Sequence, residues 1–186
     1  MSDAAATLYL LAGLLCALVM MRAARAVNAW RRLRGARLVT CPETDAPAAV
    51  MIDGTCAAIN AVFDSPSLWL ATCSRWPSRR FCGQACLPQV KAAPDDTLVR
   101  TIVGRRFADK TCVYCRKAIT EARFVHHHPA LLGHDGKTFE WTDVPPERLP
   151  ALFRTHLPAC WNCHVAETFR RTYPERVTDR SDARRL

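Results

Sequence analysis

Two Cys-x-x-Cys pairs place the strongest constraint on how this chain can fold. The first pair is Cys112 and Cys115, the second is Cys160 and Cys163, and 44 residues lie between them. A Cys-x-x-Cys turn brings two thiolates to one side of a tight loop, so two such pairs can enclose one tetrahedral metal ion. The sequence therefore predicts a four-sulfur site with zinc as the expected occupant. Four protein ligands leave no coordination position for a substrate, which predicts a structural ion and no enzymatic activity.

Four further cysteines predict a second metal site nearer the N-terminus. They are Cys41, Cys73, Cys82 and Cys86. One helical turn would place Cys82 and Cys86 on the same face, with Cβ atoms about 5–6 Å apart. Cys56 is an alternative ligand in place of Cys41, but its apolar surroundings favour a small buried side chain. Two zinc ions per chain are therefore expected.

The N-terminal segment is apolar enough to cross a membrane. Ala4 to Met21 contains eighteen residues without a charge, and a helix of that length extends about 27 Å, close to the thickness of the hydrocarbon core. Six arginines follow, between positions 22 and 37, with no acidic residue among them. The positive-inside rule predicts a single-pass anchor with the N-terminus outside and residues 22–186 in the cytoplasm. A cleaved signal peptide is the alternative, since Ala24-Arg25-Ala26 resembles a cleavage site, but a basic segment before the apolar run is missing.

The same arginines explain most of the basic charge. The chain carries a formal net charge of +9, from 26 basic and 17 acidic residues. Without these arginines the two signs nearly balance, so the charge indicates contact with anionic lipid headgroups and makes nucleic acid an improbable partner. The predicted membrane-surface residues are Arg22, Arg25, Arg31, Arg32, Arg34 and Arg37.

We expect an α+β chain in four parts. An anchor with its basic segment (residues 1–38) precedes a first cysteine-rich module (39–100), a second module (101–173) and a polar tail (174–186). In the first module, Asp53-Gly54 stands between two apolar runs, a pattern typical of a β-hairpin turn. In the cytoplasm thiols stay reduced, so the cysteines are expected to bind metal and not to form disulfides.

The second module follows the order knuckle, hairpin, helix. Cys112-Val-Tyr-Cys115 is the predicted knuckle, and Gly133-His-Asp-Gly136 lies between apolar runs as a hairpin turn. Cys160-Trp-Asn-Cys163 opens a helix-compatible segment that stops before Pro174. This order resembles the treble-clef and zinc-ribbon group of zinc domains over residues 112–172. The resemblance implies a small metal-stabilised scaffold, which in that group serves protein-binding, nucleic-acid-binding and structural roles alike.

Two other metal chemistries remain open at these cysteines. Cys160-Trp-Asn-Cys163-His164 satisfies the Cys-x-x-Cys-His motif of c-type haem attachment. Covalent haem would use both thiols, would require an extracytoplasmic domain and would leave Cys112 and Cys115 without a role. An iron–sulfur centre is the other alternative, because the same thiolates bind iron clusters.

No catalytic motif accompanies the predicted ligands. His126, His127 and His128 form a histidine-rich tract with His134, but the His-Glu-x-x-His pattern of hydrolytic zinc sites is missing. We therefore expect a membrane-anchored zinc protein that presents a protein-interaction or assembly surface. Electron transfer by haem or an iron–sulfur centre is the second hypothesis, and nucleic-acid binding by a zinc domain is the third.

Overall fold

The computed structural model describes residues 3–63, 67–78, 81–120 and 127–177. Helices and short strands follow one another along the chain, so the mixed α and β character expected from the sequence is confirmed. The chain divides into two compact units, Met1–Val99 (unit 1) and Arg100–Leu186 (unit 2). In the described residues, each unit contains one three-stranded antiparallel sheet.

The two units have different orders of helices and strands. Unit 1 contains α1 (Asp3–Leu33), β1 (Ala36–Cys41), β2 (Ala46–Ile52), α2 (Gly54–Phe63), β3 (Leu70–Cys73) and α3 (Leu87–Ala92). Helix α4 (Val99–Phe107) begins at the boundary. Unit 2 continues with β4 (Ala130–Leu132), β5 (Thr138–Glu140), α5 (Leu149–Thr155), β6 (Leu157–Ala159) and α6 (Trp161–Thr172).

Helix α1 joins the predicted membrane segment to unit 1 without a break. Its stretch from Thr7 to Leu33 is long and apolar enough to cross a membrane, and none of the most apolar part is buried within the described protein. The last turns are different, because Ala29 and Leu33 are buried in unit 1. The N-terminal part of α1 is therefore apolar and exposed, whereas its last turns are packed against the rest of unit 1.

The sheet of unit 1 buries one of its faces. Val39 on β1 and Ala48, Val50 and Ile52 on β2 are buried, while the residues between them are more exposed. This alternation of buried and more exposed residues, with a period of two, is typical of a strand that buries one face. The helices cover the buried face with Leu33 of α1, Ala57 of α2 and Val90 of α3.

Asp53 and Gly54 begin a helix, so the hairpin predicted at this position is wrong. The Asp53 carboxylate accepts hydrogen bonds from the backbone N–H groups of Thr55 (3.1 Å) and Cys56 (2.9 Å). These amides have no partner within the helix, and Asp53 therefore acts as the N-terminal cap of α2. Strand β2 pairs instead with the preceding β1 and with β3.

Helix α2 runs antiparallel to the last turns of α1. At its start, a Cβ atom on Gly54 would lie 3.3 Å from Cδ1 of Trp30, so only a glycine allows this close approach without movement of the indole. At its end, the Arg22 guanidinium donates a 2.7 Å hydrogen bond to the carbonyl of Val62. Phe63 therefore lies beside the turn of α1 that directly follows the apolar run.

The sheet of unit 2 has the order β5-β4-β6. Strands β4 and β5 pair on either side of residues 133–137, so the predicted hairpin is confirmed. Gly136 has a φ of 74°, a conformation that glycine adopts at little cost. Strand β6 pairs with the other edge of β4 and leads directly into α6. Leu131 and Leu149 are fully buried in this unit.

Candidate metal centre

The first cysteine pair lies in a tight loop closed by backbone hydrogen bonds. The N–H of Cys112 donates to the carbonyl of Lys117 (2.9 Å), and the N–H of Arg116 donates to the carbonyl of Cys112 (3.0 Å). Arg116 has a φ of 60°, a left-handed conformation that reverses the chain directly after Cys115. The loop has the compact form expected of a metal knuckle.

The second cysteine pair lies at the start of α6. Cys160 is the N-terminal cap residue of this helix, with an extended backbone, and Cys163 follows in the first turn. The N–H of Val113, inside the first loop, donates a 3.0 Å hydrogen bond to the carbonyl of Pro158 on β6. This bond fixes the knuckle against the strand that delivers Cys160.

All four sulfur atoms converge on one point. The Sγ atoms of Cys112, Cys115, Cys160 and Cys163 lie within 4.8 Å of one another, and those of Cys115 and Cys160 are 3.8 Å apart. A tetrahedral zinc ion with bonds of about 2.3 Å requires sulfur–sulfur distances of about 3.8 Å. A disulfide bond is much shorter, about 2.05 Å. The cysteines are free thiols, and the cluster they form can hold a metal ion.

The pKa values of Cys112, Cys160 and Cys163 are shifted in different directions. Burial raises the pKa of Cys112, but hydrogen bonds from the backbone N–H groups of Cys115, Cys160 and Tyr114 outweigh it and bring the pKa down to about 7. Burial raises the pKa of Cys160 and that of Cys163, and hydrogen bonding with the neighbouring thiols raises the Cys163 value further. Adjacent thiolates repel one another, so the cluster favours a thiolate at Cys112 with protonated Cys160 and Cys163 until a cation is present.

Three cysteines of the second predicted set share the core of unit 1. Cys41 lies on the same face of β1 as Val39, and Cys73 pairs with Val50 on the buried face of the sheet. Both pack against the cluster of buried residues that contains Cys86. Burial raises the pKa of Cys86, and the nearby charges of Cys73, Cys82 and Cys41 raise it further. Three of the four predicted ligands therefore pack in one cluster, and Cys82 lies near enough to influence the pKa of Cys86.

The second set is more open than the first. Among the described residues, only the four cysteines of unit 2 form a group of three or more potential ligands that could hold a metal ion. Cys56, the alternative to Cys41, lies on α2, where Nδ2 of Asn60 donates to its sulfur over 3.6 Å. Cys41, and not Cys56, packs beside Cys86. Cys16 is exposed on the apolar part of α1.

The described histidines are dispersed and do not form a second kind of metal site. Nδ1 of His164 is 2.8 Å from the Thr138 hydroxyl. The His127 ring stacks on Trp161 with a centroid distance of 4.0 Å. The rings of His128 and Trp141 are in T-shaped contact, and so are the rings of His134 and His156. His126 lies outside the described residues.

The juxtamembrane arginines fall into three environments. Four are exposed, namely Arg25, Arg31, Arg32 and Arg34. Arg22 is half-buried because it caps the end of α2. Arg37 is fully buried, which corrects the expectation that it lies at the membrane surface. Its guanidinium donates to the hydroxyl of Thr97 over 3.0 Å and to the carbonyls of Arg32 and Pro94. Sequence reasoning missed this role because a buried arginine and a headgroup-facing arginine look alike in a basic run.

Comparison of the chain with models of known protein families, with characterised proteins and with solved structures finds no match. The four-sulfur cluster and α1 are therefore the features of the molecule that bear on its function.

Proposed function

We propose that this protein is a membrane-anchored zinc protein in which the ion is structural and the folded units present a binding surface to another protein. The convergence of four cysteine sulfurs within 4.8 Å carries this proposal. All four protein ligands of a tetrahedral ion come from this one cluster, so the ion stabilises the fold and has no open position for substrate.

The sulfur spacing supports one ion more than a cluster of several metals. In a four-iron cluster each cysteine binds a different iron, which spreads the sulfurs around the inorganic core. The 3.8 Å between Cys115 and Cys160 instead matches two ligands of the same tetrahedral ion. Zinc is the usual occupant of a closed shell of four thiolates.

The surroundings of the cluster support a treble-clef arrangement. A knuckle supplies the first two sulfurs, a β-hairpin follows, and the first turn of α6 supplies the other two. The cations of Arg116 and Lys117, both exposed next to the knuckle, offset part of the double negative charge of a zinc ion with four thiolates. A second zinc ion in unit 1 would use Cys41, Cys73, Cys82 and Cys86 and would draw these neighbouring thiols together.

An apolar stripe on α6 supports a protein-binding role. Val165, Phe169 and Tyr173 follow one another at four-residue intervals and are all exposed, each by more than 40%. Residues at this spacing lie on one side of a helix. A stripe of large apolar side chains facing solvent next to a metal-stabilised core is typical of a surface that a partner protein covers.

Metal analysis with an optical spectrum tests the proposal directly. The full chain, purified in detergent, is expected to be colourless and to contain about one zinc ion for the cluster of unit 2, with a second ion if the cysteines of unit 1 close around metal. Iron in stoichiometric amounts, or a porphyrin band, would reject zinc as the native metal.

His164 separates zinc from haem. Its ring is held by Thr138, outside the sulfur cluster, so His164→Ala is expected to leave the zinc content unchanged. In a c-type cytochrome the same histidine would be the axial ligand, and its loss would change the visible spectrum strongly. Zinc content and absorption spectrum of the wild type and of this variant are the measurements. A red wild-type protein whose Soret band shifts in the variant would favour electron transfer.

The orientation of α1 is the next prediction. The arginines that follow the apolar run are expected to keep the C-terminal side in the cytoplasm. In a bacterial host, a β-galactosidase fusion after Leu186 should be active and an alkaline phosphatase fusion at the same position inactive. The opposite pattern would reverse the proposed topology. Packing of Ala29 and Leu33 in unit 1 supports retention of the anchor, because cleavage after Ala26 would cut α1 ahead of these buried residues.

A further inference from the structure

A groove of about 560 Å³ lies in unit 1 beside the end of α1. Helix α1 provides one wall, and residues of α2, the segment before β3, and α3 provide the others. Cationic lining residues are Arg25, Arg32 and Lys91, and the apolar ones include Phe63, Leu68 and Val90. No carboxylate is found among the described residues that line the groove. The groove therefore combines positive charge with an apolar wall.

The position of the groove on α1 places it at the membrane surface. Arg25 follows Met21 by four residues, a rise of about 6 Å, and Arg32 lies about 16 Å beyond the same point. The headgroup layer on each side of a bilayer is about 5–7 Å thick. Arg25, the first of the lining cations, is thus at headgroup level.

Helix α2 brings apolar side chains to the same level. The hydrogen bond from Arg22 to the Val62 carbonyl holds the end of α2 beside the turn that follows the apolar run. Phe63 is 78% exposed and Ile59, one turn earlier, is 60% exposed. Large, exposed apolar residues at the level of this turn are suited to the boundary between headgroups and acyl chains.

We propose that this groove binds the headgroup of an anionic phospholipid from the surrounding bilayer. Arg25, at headgroup level, contacts the phosphate, and Arg32 and Lys91 add positive potential farther along the groove. Phe63 and Leu68 lie against the glycerol and the upper acyl chain. Among the described residues, no ion pair neutralises these three cations. The assignment rests on the membrane-anchored part of the proposed function, because the lipid reaches the groove only if α1 spans the bilayer.

Lipid titration of the full chain tests the site. Delipidated protein in neutral detergent is titrated with phosphatidylglycerol or phosphatidylcholine, and bound lipids are counted by native mass spectrometry. The groove variant carries Arg25→Gln, Arg32→Gln and Lys91→Gln. The matched control carries Lys110→Gln, Lys137→Gln and Arg154→Gln, which removes the same charge from exposed positions outside the groove and outside the basic segment after the apolar run.

Selective loss of the anionic lipid is the expected result. The groove variant should bind phosphatidylglycerol roughly 10- to 100-fold more weakly than the wild type, since each cation near a headgroup contributes about 1 kcal/mol. The control should change by less than about threefold, and phosphatidylcholine should bind weakly to all three proteins. Equal losses in both variants would overturn the groove site, and so would equal binding of the two lipids by the wild type.

Two further measurements separate the possible failures. Inorganic phosphate at millimolar concentration should not displace phosphatidylglycerol, because the apolar wall contributes to binding; full displacement would assign the groove to a soluble anion and reject the lipid. Carbonate extraction of membranes reports on the anchor independently. A wild-type protein that is extracted by carbonate would refute the proposed anchoring, whereas a retained protein without lipid preference would refute only the groove.

Discussion

Replacement of Cys112 or Cys163 by serine is expected to remove about one zinc ion per chain and to unfold much of unit 2. Structural zinc sites contribute about 10–16 kcal/mol to the folding of small zinc domains, which exceeds or equals the total stability of about 5–15 kcal/mol of an ordinary domain. Loss of one sulfur from a four-ligand shell removes a large part of that contribution. Zinc content by elemental analysis and limited proteolysis of residues 105–172 are the measurements.

Two cysteines elsewhere in the chain provide matched controls for this prediction. Cys16 lies on the exposed apolar part of α1, and Cys56 lies on α2 in unit 1. Cys16→Ser and Cys56→Ser should both retain the zinc of unit 2 and the protease resistance of residues 105–172. If Cys112→Ser and Cys163→Ser kept the wild-type stoichiometry and resistance, the four cysteines would not act as one metal site.

Arg37→Leu is expected to destabilise unit 1 by about 3–5 kcal/mol, because each acceptor left without its hydrogen-bond donor costs about 1–3 kcal/mol. The substitution leaves the carbonyls of Arg32 and Pro94 and the hydroxyl of Thr97 without their donor. Burial lowers the pKa of Arg37, and nearby Asp95 raises it. The charged guanidinium is therefore stable in the interior only while its hydrogen-bond acceptors are in place. A loss of this size should lower the melting temperature by more than about 10 °C.

Arg31→Leu is the control for this substitution. Arg31 is exposed on the same basic segment, and surface substitutions usually change stability by no more than about 0.5 kcal/mol. Thermal unfolding of both variants, followed by circular dichroism in detergent, provides the comparison. Equal melting temperatures for Arg37→Leu and the wild type would mean that the buried guanidinium does not hold unit 1 together.

The cysteine cluster of unit 2 was predictable because its information is local. A Cys-x-x-Cys spacing needs only one turn of chain to bring two sulfurs together, and the glycines at positions 133 and 136 mark the intervening hairpin without reference to the rest of the fold. The convergence of the two pairs is a long-range event. Its prediction depended on the chemistry of zinc, which requires four ligands and therefore links pairs that lie 44 residues apart.

Asp53-Gly54 was not predictable in the same way because the dipeptide suits two structures. The pair is favourable in a hairpin turn, and an aspartate followed by small residues is equally favourable at the start of a helix. The choice depends on Ala57 and Ala61, which are one turn apart and both buried. Their burial is a property of the tertiary fold, which no short window of sequence contains.

Arg37 shows the same limit for charge. Arg37 is one of six arginines in this segment, and the sequence alone predicts the same headgroup contact for all six. The distinction comes from position, since Arg37 lies on β1 with its side chain on the buried face of the sheet, and its partners Pro94 and Thr97 are almost sixty residues away. Charge composition indicates which residues favour exposure to solvent, and strand register determines which of them are buried.

The unbroken course of α1 has a mechanical consequence. No flexible linker separates the apolar run from the turns that carry Ala29 and Leu33. If α1 spans a membrane as proposed, unit 1 cannot rotate or move away from the bilayer independently of its anchor. Tilting of the helix within the membrane would turn unit 1 by the same angle. For the proposed membrane-anchored protein, a partner that shares the same membrane would search in two dimensions and meet unit 1 in a restricted range of orientations, which lowers the entropy lost on association.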